Sequence, residues 1–454
     1  MKNKFNRLFS CLLATAFAFS GQTAFAQQKQ QDESACKTKM EWFGHAKLGI
    51  FIHWGIYAVK GIGESWSFHN EYLPYEEYMD QLNGFTAKDY NPKEWVKLIE
   101  ESGARYTVIT SKHHDGVALW DTKANKLSIA QKTPAARDVL TPFINEVKKS
   151  KQLKTGIYFS LIDWSYPDYP NFTKTKTRYK LQEDTVRWGK FRHFMFKQLG
   201  EISKQYDPDL IWFDGGWENS PENWDSKGIL KLLRKQNKNI IVNSRIEGNL
   251  GDYGTPEIGV PITKPADNYW ELCLTMNDSW GYQPRDTHYK TSHELLRTFV
   301  DCFTMGGNLL LDIGPSADGV IPAEQVQILK DFGRWTKKHK EAIYNTVGGI
   351  PNLPFQGYNA LSKDSTILYL YIPYKPIGEV EIKGLENKVE SAWVVGDGTH
   401  LTPEVFNKLS WNPKPGNLYI SIPEHALDKD ITVVALKLDG PIKLYGVEQN
   451  AHQK

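Results

Sequence analysis

Residues 210–216 read Leu-Ile-Trp-Phe-Asp-Gly-Gly, an apolar run that ends in a carboxylate and two glycines. An apolar run of this length, without polar alternation, predicts a strand that is buried on both faces, as in a parallel sheet. Its polar residue, Asp214, falls where the strand ends. The glycines that follow would let a ligand approach the backbone closely.

The same pattern recurs on both sides of this run, and amphipathic segments of helical period separate its copies. One polar cluster at the end of each buried strand is typical of a (β/α)₈ barrel. A doubly wound open sheet is the alternative fold, but no G-x-G-x-x-G motif follows the first strand to support it. Two further strands are expected within residues 250–290. The other apolar runs are 48–52, 106–110, 155–160, 240–242 and 309–311, and the predicted helices are 92–102, 139–151, 181–205, 227–235, 292–305 and 323–344.

After Gly348 the apolar pattern changes to alternation with a period of two. Short runs of this kind, separated by Gly, Pro, Asp and Asn, predict a small antiparallel β-sandwich. The predicted organisation is therefore a signal peptide at residues 1–26, a catalytic barrel at 36–347 and a C-terminal sandwich at 348–448. The alternating runs are 366–372, 380–382, 392–395, 418–422 and 431–436.

The first 26 residues have the pattern of a secretory signal peptide. Basic residues precede an apolar run at 8–19, and Ala24-Phe25-Ala26 precedes the expected cleavage point. We therefore expect export to the periplasm or the extracellular space. A lipid anchor on Cys11 is the less favoured alternative, because Phe9-Ser10 is a poor context for it. No later segment approaches the roughly 20 apolar residues of a membrane-spanning helix.

Charge and cysteine content exclude several classes of protein. The chain has 55 basic and 53 acidic residues, interspersed, which gives no footprint for nucleic acid or an anionic membrane. Past the signal, Cys36, Cys273 and Cys302 stand at long spacings, so a disulfide framework and a C-x-x-C metal site are excluded and at most one bridge is possible. Aromatic residues make up 13% of the chain, and many adjoin Gly, Asp or His, a context that suits sugar rings.

Hydrolysis of a glycosidic bond requires two carboxyl groups. Asp214 is the leading candidate for the group that attacks, with the capping of a following helix as its alternative role. Spacing alone does not choose the second carboxyl. The candidates in the irregular stretch after the fifth strand are Glu247, Asp252, Glu257, Asp267 and Glu271.

Three histidines, His53, His113 and His114, also lie at predicted strand ends. Adjacent residues of a strand face opposite sides, so the His113-His114 pair is not expected to chelate one metal, and hydrogen bonding to substrate hydroxyls is favoured over zinc. Arg245 could bind hydroxyls or hold a carboxylate ionised. Neither a G-x-S-x-G nor a Walker motif is present, which disfavours serine nucleophiles and phosphoryl transfer.

Six motifs, in order and spacing, resemble the α-L-fucosidases of glycoside hydrolase family 29. The resemblance covers roughly residues 40–345, and the sandwich after it fits the family's usual C-terminal domain. It implies a (β/α)₈ barrel that needs no cofactor and acts on fucosylated oligosaccharides or glycoconjugates. The motifs are WFGHAKLGIFIHWG, SKHHDGVALW, IWFDGGW, VNSR, SWGY and GGNLLLDIGPSADGVIP.

The resemblance also implies roles for individual residues. Asp214 matches the nucleophile of a retaining double displacement, and Glu257 matches the acid/base, with Glu271 as the alternative. Glu257 has to be protonated when the reaction begins, so we expect it to be buried and close to the charge of Asp214. Trp66 or Trp280 could offer an apolar face to the methyl group of the sugar. The residues that match the family's sugar pocket are His53, Trp66, His113, His114, Tyr158, Arg245 and Trp280.

Several alternatives remain open from the sequence. The nearest is a retaining glycosidase of other sugar specificity on the same barrel. A non-catalytic sugar-binding protein is disfavoured by the presence of both carboxyl groups, and a metal-dependent barrel hydrolase is the third alternative. The loops at 61–84 and 217–224 are predicted to set the choice of leaving group. The oligomeric state is not predicted.

Overall fold

The computed structural model describes residues 39–446, and all the elements below lie in the compact unit that begins at Gly44. Seven parallel strands form one curled sheet in the order β5-β4-β3-β2-β1-β7-β6. The predicted signal peptide, Cys11 and Cys36 lie outside the described residues. The strands are β1 Leu48–Ile52, β2 Tyr106–Lys112, β3 Lys154–Ser160, β4 Leu210–Asp214, β5 Ile241–Val242, β6 Glu271–Thr275 and β7 Asn308–Ile313.

An irregular segment, residues 252–258, closes this sheet into a barrel. On one side the main-chain nitrogen of Asp252 donates to the oxygen of Val242, at 2.7 Å. On the other side the nitrogen of Cys273 donates to the oxygen of Pro256, at 3.1 Å. The segment thus takes the strand position between β5 and β6. Of the two further strands predicted within residues 250–290, one is the regular strand β6, and the position of the other is held by this irregular segment. The doubly wound alternative is wrong because the sheet closes.

Helices alternate with the strands, as the periodicity predicts. Helix Pro92–Glu101 illustrates the local causes: Asn91 accepts a hydrogen bond from the nitrogen of Glu94, and proline occupies the first turn, where its missing N–H costs nothing. Within residues 39–446, no helix combines the length and the apolar character needed to cross a membrane. The other helices are Trp66–His69, Tyr75–Met79, Ile129–Lys132, Leu140–Val147, Thr185–Tyr206, Pro221–Trp224, Ser226–Gln236, Ser292–Thr304, Ala323–Lys338 and Glu341–Tyr344.

Two antiparallel sheets follow the barrel, in the orders β13-β12-β16-β10-β9-β8 and β11-β15-β14. The five predicted runs are all strands, whereas β8, β9, β13 and β14 were not predicted. Two of these, β13 and β14, have only two and three residues, too few for an alternating pattern. The strands are β8 Thr346–Gly348, β9 Tyr358–Ser362, β10 Ile367–Ile372, β11 Val380–Lys383, β12 Val389–Val394, β13 His400–Leu401, β14 Glu404–Phe406, β15 Asn417–Ile420 and β16 Thr432–Leu438.

Strand β10 contributes to two hydrophobic cores. Leu368 and Leu370 pack in a cluster that also contains Ile420 of β15, so the two antiparallel sheets share one core, as in a sandwich. The alternate residues, Tyr369 and Tyr371, belong to the core cluster of the barrel. Both faces of β10 are therefore buried, which explains why this strand is apolar throughout.

Candidate active site

The carboxyl ends of the barrel strands surround a cavity of about 450 Å³. Eight of the nine residues predicted for the site line it; the ninth, His114, is fully buried behind the wall. The predicted residues in the wall are His53, Trp66, His113, Tyr158, Asp214, Arg245, Glu257 and Trp280, and those that were not predicted are Phe51, Glu64, Trp212, Trp217 and Cys273.

Asp214 ends β4, and its carboxylate is held from both sides. Arg245 Nη1 lies 2.8 Å from Oδ1, and the hydroxyl of Tyr158 donates to Oδ2 at 2.8 Å. His114 Nε2 lies 3.6 Å from the same Oδ2. The alternative role is excluded, because the short turn that follows, Gly216–Glu218, has no side-chain cap. Asp214 is 7% exposed, so it is a buried carboxylate that faces the cavity with a fixed orientation.

The two glycines after Asp214 make room for neighbouring protein groups. Gly215 has φ of 81°, and a Cβ there would lie 2.5 Å from Ile162 Cγ1. A Cβ on Gly216 would lie 2.1 Å from the main-chain oxygen of Arg245. The expectation that these glycines admit a ligand is therefore wrong. They allow the chain that carries Arg245 to pass beside Asp214.

Glu257 shares the guanidinium of Arg245 with Asp214. Arg245 Nη2 lies 2.5 Å from Glu257 Oε2, and Nε donates to Thr255 Oγ1 at 3.2 Å. The guanidinium stands over the ring of Trp212, 4.6 Å from its centroid. Burial lowers the pKa of Arg245, but the charges of Asp214 and Glu257 outweigh it and raise that pKa overall. One permanently charged cation thus joins the two carboxyl groups.

The expected burial of Glu257 is wrong, since 37% of its side chain is exposed. The reason lies in the course of segment 252–258, in which Tyr253 and Gly254 are buried but the last two residues, Glu257 and Ile258, are exposed. Here Glu257 pairs with Cys273 through a single parallel bridge. Its carboxylate therefore reaches into the cavity from the rim and can also contact solvent.

Glu271, the alternative acid, lies outside the cavity. It is fully buried two residues before Cys273, toward the amino end of β6. Trp212 Nε1 donates to Oε1 at 2.9 Å, and the hydroxyl of Tyr106 donates to Oε2. Burial raises the pKa of Glu271 to about 7. Among the other carboxyls considered, Asp252 accepts from the nitrogen of Val242, and neither Glu247 nor Asp267 lines the cavity.

Each of the three predicted histidines uses Nδ1 for a protein partner. Nδ1 of His53 lies 2.7 Å from Asp312 Oδ1, that of His114 lies 2.6 Å from Ser160 Oγ, and that of His113 contacts Ser65 Oγ. Burial lowers the pKa of all three imidazoles well below the usual value. These shifts favour neutral rings near pH 7. His53 and His113 line the cavity, whereas Nε2 of His114 lies 3.6 Å from Asp214 Oδ2.

His113, His114 and Asp214 bring their ligand atoms within 4.8 Å of one another. The argument that adjacent histidines face opposite sides does not apply, because both follow Lys112, the last residue of β2. Of these separations, the one between His114 Nε2 and Asp214 Oδ2 is 3.6 Å, wider than the roughly 3.3 Å between the ligand atoms of tetrahedral zinc. Asp214 is also engaged by Arg245 and Tyr158. We assign no metal to the group.

Four of the five residues that were not predicted fall into two kinds. Phe51 and Trp212 lie two positions before His53 and Asp214, so they share their faces. Counting back by two from each strand-end polar residue would have found them. Glu64 gave no such signal, because it lies in a loop and is held by the nitrogen of Gly281, which donates to Oε1 at 2.7 Å. Trp217, 51% exposed, stands at the cavity mouth in one of the two loops predicted to contact the leaving group.

Residues 15–341 match the family model described as alpha-L-fucosidase. The chain belongs to this family. It is thus a glycoside hydrolase, as the six motifs indicated. Plasma alpha-L-fucosidase of Rattus norvegicus is 30% identical over 368 residues, 75% of this chain and 78% of the relative. Tissue alpha-L-fucosidase of the same organism is 32% identical over 333 residues, which are 67% of this chain and 69% of the relative.

Solved structures of the alpha-L-fucosidase family share the fold. Alpha-L-fucosidase isoenzyme 1 from Paenibacillus thiaminolyticus superposes with a TM-score of 0.81 at 30% identity, over 89% of this chain and 100% of that one. A family 29 alpha-L-fucosidase from Bacteroides thetaiotaomicron superposes with a TM-score of 0.78 at 26% identity, over 88% of this chain and 96% of that one. That structure is a trapped covalent intermediate obtained with 2-fluoro-fucosyl fluoride.

Proposed function

We propose that the protein hydrolyses terminal α-L-fucosyl linkages of oligosaccharides or glycoconjugates with retention of configuration. The observation that carries the proposal is the pair of carboxylates, Asp214 and Glu257, bound to one guanidinium in one cavity. Retaining glycosidases hold their two carboxyls close together, about 5–5.5 Å apart, so that one attacks the anomeric carbon directly. A shared guanidinium is the kind of arrangement that keeps two such groups adjacent.

In the first step, Asp214 attacks the anomeric carbon while Glu257 donates a proton to the departing oxygen. Arg245 and Tyr158 orient the attacking carboxylate through bonds of 2.8 Å each. Glu257 has to leave Arg245 and take up a proton before it can act as the acid. Its partial exposure at the rim gives it access to water for this exchange.

In the second step, the fucosyl-aspartate ester is hydrolysed by water. Glu257, now deprotonated, accepts a proton from the attacking water, and Asp214 departs as a carboxylate. Arg245 stabilises that departing charge through Nη1. The covalent intermediate trapped in the Bacteroides thetaiotaomicron relative supports the same route here.

The wall of the cavity suits a deoxy sugar. Phe51, Trp66 and Trp280 offer apolar surface against which a methyl group can pack. His53 and His113 offer neutral imidazole nitrogens for hydroxyls, and Trp217 at the mouth is placed to contact the leaving group. The proposed specificity for fucose over other sugars rests on these apolar and hydrogen-bonding groups together and on membership of the alpha-L-fucosidase family.

Azide rescue tests the two assignments separately. Asp214→Gly and Glu257→Ala are compared on an activated aryl α-L-fucoside, with Glu271→Gln as the control in a buried carboxyl outside the cavity. We expect azide to restore turnover in both cavity variants, giving β-fucosyl azide from Asp214→Gly and α-fucosyl azide from Glu257→Ala. Glu271→Gln should retain most of its activity. Full activity of Glu257→Ala on natural fucosides would refute the acid assignment.

Two expectations from the sequence stand as proposals. We propose that residues 1–26 direct export, on the strength of the basic, apolar and small-residue pattern alone. We also propose that the barrel and sandwich domains divide near residue 347. Helix Glu341–Tyr344 precedes this point, and the first strand of the antiparallel sheets, β8, begins at Thr346.

A further inference from the structure

A buried carboxyl group, Asp312, lies directly behind His53 in the cavity wall. The two side chains are joined by a hydrogen bond of 2.7 Å between His53 Nδ1 and Asp312 Oδ1. Asp312 is 1% exposed and does not line the cavity, whereas His53 does. The mechanism described above gives Asp312 no part.

The strand register produces this contact. β7 lies beside β1, with Ile313 paired to Ile52, and the nitrogen of His53 donates to the oxygen of Ile313 at 3.0 Å. Asp312 therefore lies near the carboxyl end of β7, next to the end of β1, which His53 directly follows. Rigid strands on both sides fix the separation of the two groups.

The contact determines which nitrogen of the imidazole carries the proton. Burial lowers the pKa of His53 well below its usual value, so the ring is neutral and has one N–H. An ionised Asp312 can only accept, which places this hydrogen on Nδ1 and leaves Nε2 as an acceptor. Burial and the charge of Glu64 raise the pKa of Asp312. The hydrogen bond donated by Nδ1 favours the ionised carboxylate that this tautomer requires.

Two aromatic rings fix the position of His53, while burial, His113 and Arg245 lower its pKa and Asp214 raises it. The ring of Phe51 lies 4.3 Å from that of His53, and the ring of Trp280 lies 5.1 Å away. Glu64, the nearby buried carboxyl, accepts from the nitrogen of Gly281 through Oε1. Of these groups, Asp312 is the one bonded to the imidazole.

We propose that Asp312 is a positioning residue for substrate recognition: it fixes His53 in the tautomer whose Nε2 accepts a hydrogen bond from one hydroxyl of the sugar. The inference rests on the proposed fucosidase function and deepens it. A sugar whose hydroxyl cannot donate at this point loses one bond, and a protein without Asp312 loses the same bond.

Kinetics on deoxygenated substrates test this equivalence. Aryl α-L-fucosides that lack the 2-, 3- or 4-hydroxyl are compared with the parent for wild type, Asp312→Leu and Asp312→Asn. On the parent, we expect Asp312→Leu to lower kcat/KM by about 10- to 100-fold. On one deoxy substrate this loss should shrink to about twofold or less, since the bond is already missing. Asp312→Asn, which keeps an acceptor oxygen, should stay within about fivefold of wild type.

The outcome that overturns the proposal is an equal loss on the parent and on all three deoxy substrates, which a merely structural role of Asp312 would give. If Asp312→Leu does not fold, as judged by circular dichroism, Asp312→Asn is the kinetic variant. In that case the proposal is overturned if the kcat/KM of Asp312→Asn falls by more than about fivefold, and by the same factor on the parent and on all three deoxy substrates.

Nitrogen NMR of the wild-type protein reads the tautomer directly. In a sample labelled with ¹⁵N-histidine, the resonances of His53 are identified by their absence in His53→Asn. We expect a protonated Nδ1 and an unprotonated Nε2, and a protonated Nε2 would overturn the proposal. This measurement does not depend on turnover. A wild-type protein inactive on every fucoside would refute the proposed function, and the tautomer would still be measured.

Discussion

Arg245 connects the chemistry of the site at the scale of single residues. Its guanidinium binds Asp214 and Glu257 and stands over Trp212, whose indole nitrogen donates to Glu271. Charged hydrogen bonds of this kind are stronger than neutral ones because the interior screens them less than water does. Asp214, Glu257 and Glu271 thus each have a defined partner before substrate binds.

Replacement of Tyr158 by Phe removes one of the two strong donors to the nucleophile. The hydroxyl of Tyr158 donates to Asp214 Oδ2 at 2.8 Å. The ring stacks on that of Trp212, a contact that a phenylalanine ring can also make. We expect kcat/KM on an aryl α-L-fucoside to fall about 10- to 100-fold, with little change in thermal stability. Tyr90→Phe is the matched control, because that buried hydroxyl binds the oxygen of Val139 away from the cavity. Equal losses in both variants would contradict this role of Tyr158.

Glu271 makes the stability of the protein depend on pH. Its pKa rises from 4.5 to about 7 on burial, so between these values the native state holds a proton that the unfolded chain releases. The free energy of unfolding therefore falls as pH rises from about 4.5 to about 7, and the loss is complete above that range.

Glu271→Gln cannot ionise and escapes this loss. The free energy of unfolding of Glu271→Gln minus that of wild type should therefore be higher at pH 8 than at pH 5, by up to about 3 kcal/mol. Urea unfolding at the two pH values measures the difference, with the exposed Glu404→Gln as the control. A difference between variant and wild type that does not change with pH would show that Glu271 does not titrate in this range.

The strand ends are the elements that position the site, and the sequence revealed most of them. Asp214 and His53 could be placed because a buried strand leaves few directions for its last side chains. Tyr158, inside β3, was indicated by the family resemblance alone. Segment 252–258 could not, because its bonds to β5 and β6 follow no regular period. Glu64 depends on Gly281, more than 200 residues further along the chain, a contact that only the folded barrel creates.

Gly216 tests whether the turn after β4 sets the position of Arg245. A Cβ at this position would lie 2.1 Å from the main-chain oxygen of Arg245, so Gly216→Ala must displace that chain. We expect a fall in kcat/KM of about 10-fold or more, since the guanidinium moves away from Asp214. Gly189→Ala is the control, because a Cβ there meets no atom within 4 Å. Unchanged activity in Gly216→Ala would contradict the account of this turn.

At the scale of the whole molecule, the C-terminal sheets complete the core of the barrel. Tyr371 of β10 belongs to the barrel cluster, and its hydroxyl donates to the oxygen of Ala342. Trp335 Nε1 donates to the oxygen of Ile431 at 3.0 Å, and Arg334 forms bonds of 2.8 and 3.0 Å with Asp428. These contacts bury an apolar face that the barrel alone would expose.

Truncation after residue 345 should therefore yield a barrel that aggregates. The exposed face would include groups that Tyr371 and Val433 now cover, and an apolar surface of that kind drives association. Size-exclusion chromatography and circular dichroism of the truncated chain, beside the full chain, measure the effect. A monomeric truncated barrel with full activity on an aryl fucoside would show that the sandwich is dispensable.

The central claim, that Asp214 forms a covalent bond to the sugar, is tested most directly by trapping that bond. The protein is incubated with 2-fluoro-fucosyl fluoride, digested with pepsin and analysed by mass spectrometry, beside Asp214→Gly treated in the same way. We predict one fluorofucosyl adduct per chain, on Asp214, and none on the variant. An adduct on Glu257, or turnover of the reagent without any adduct at Asp214, would contradict the mechanism.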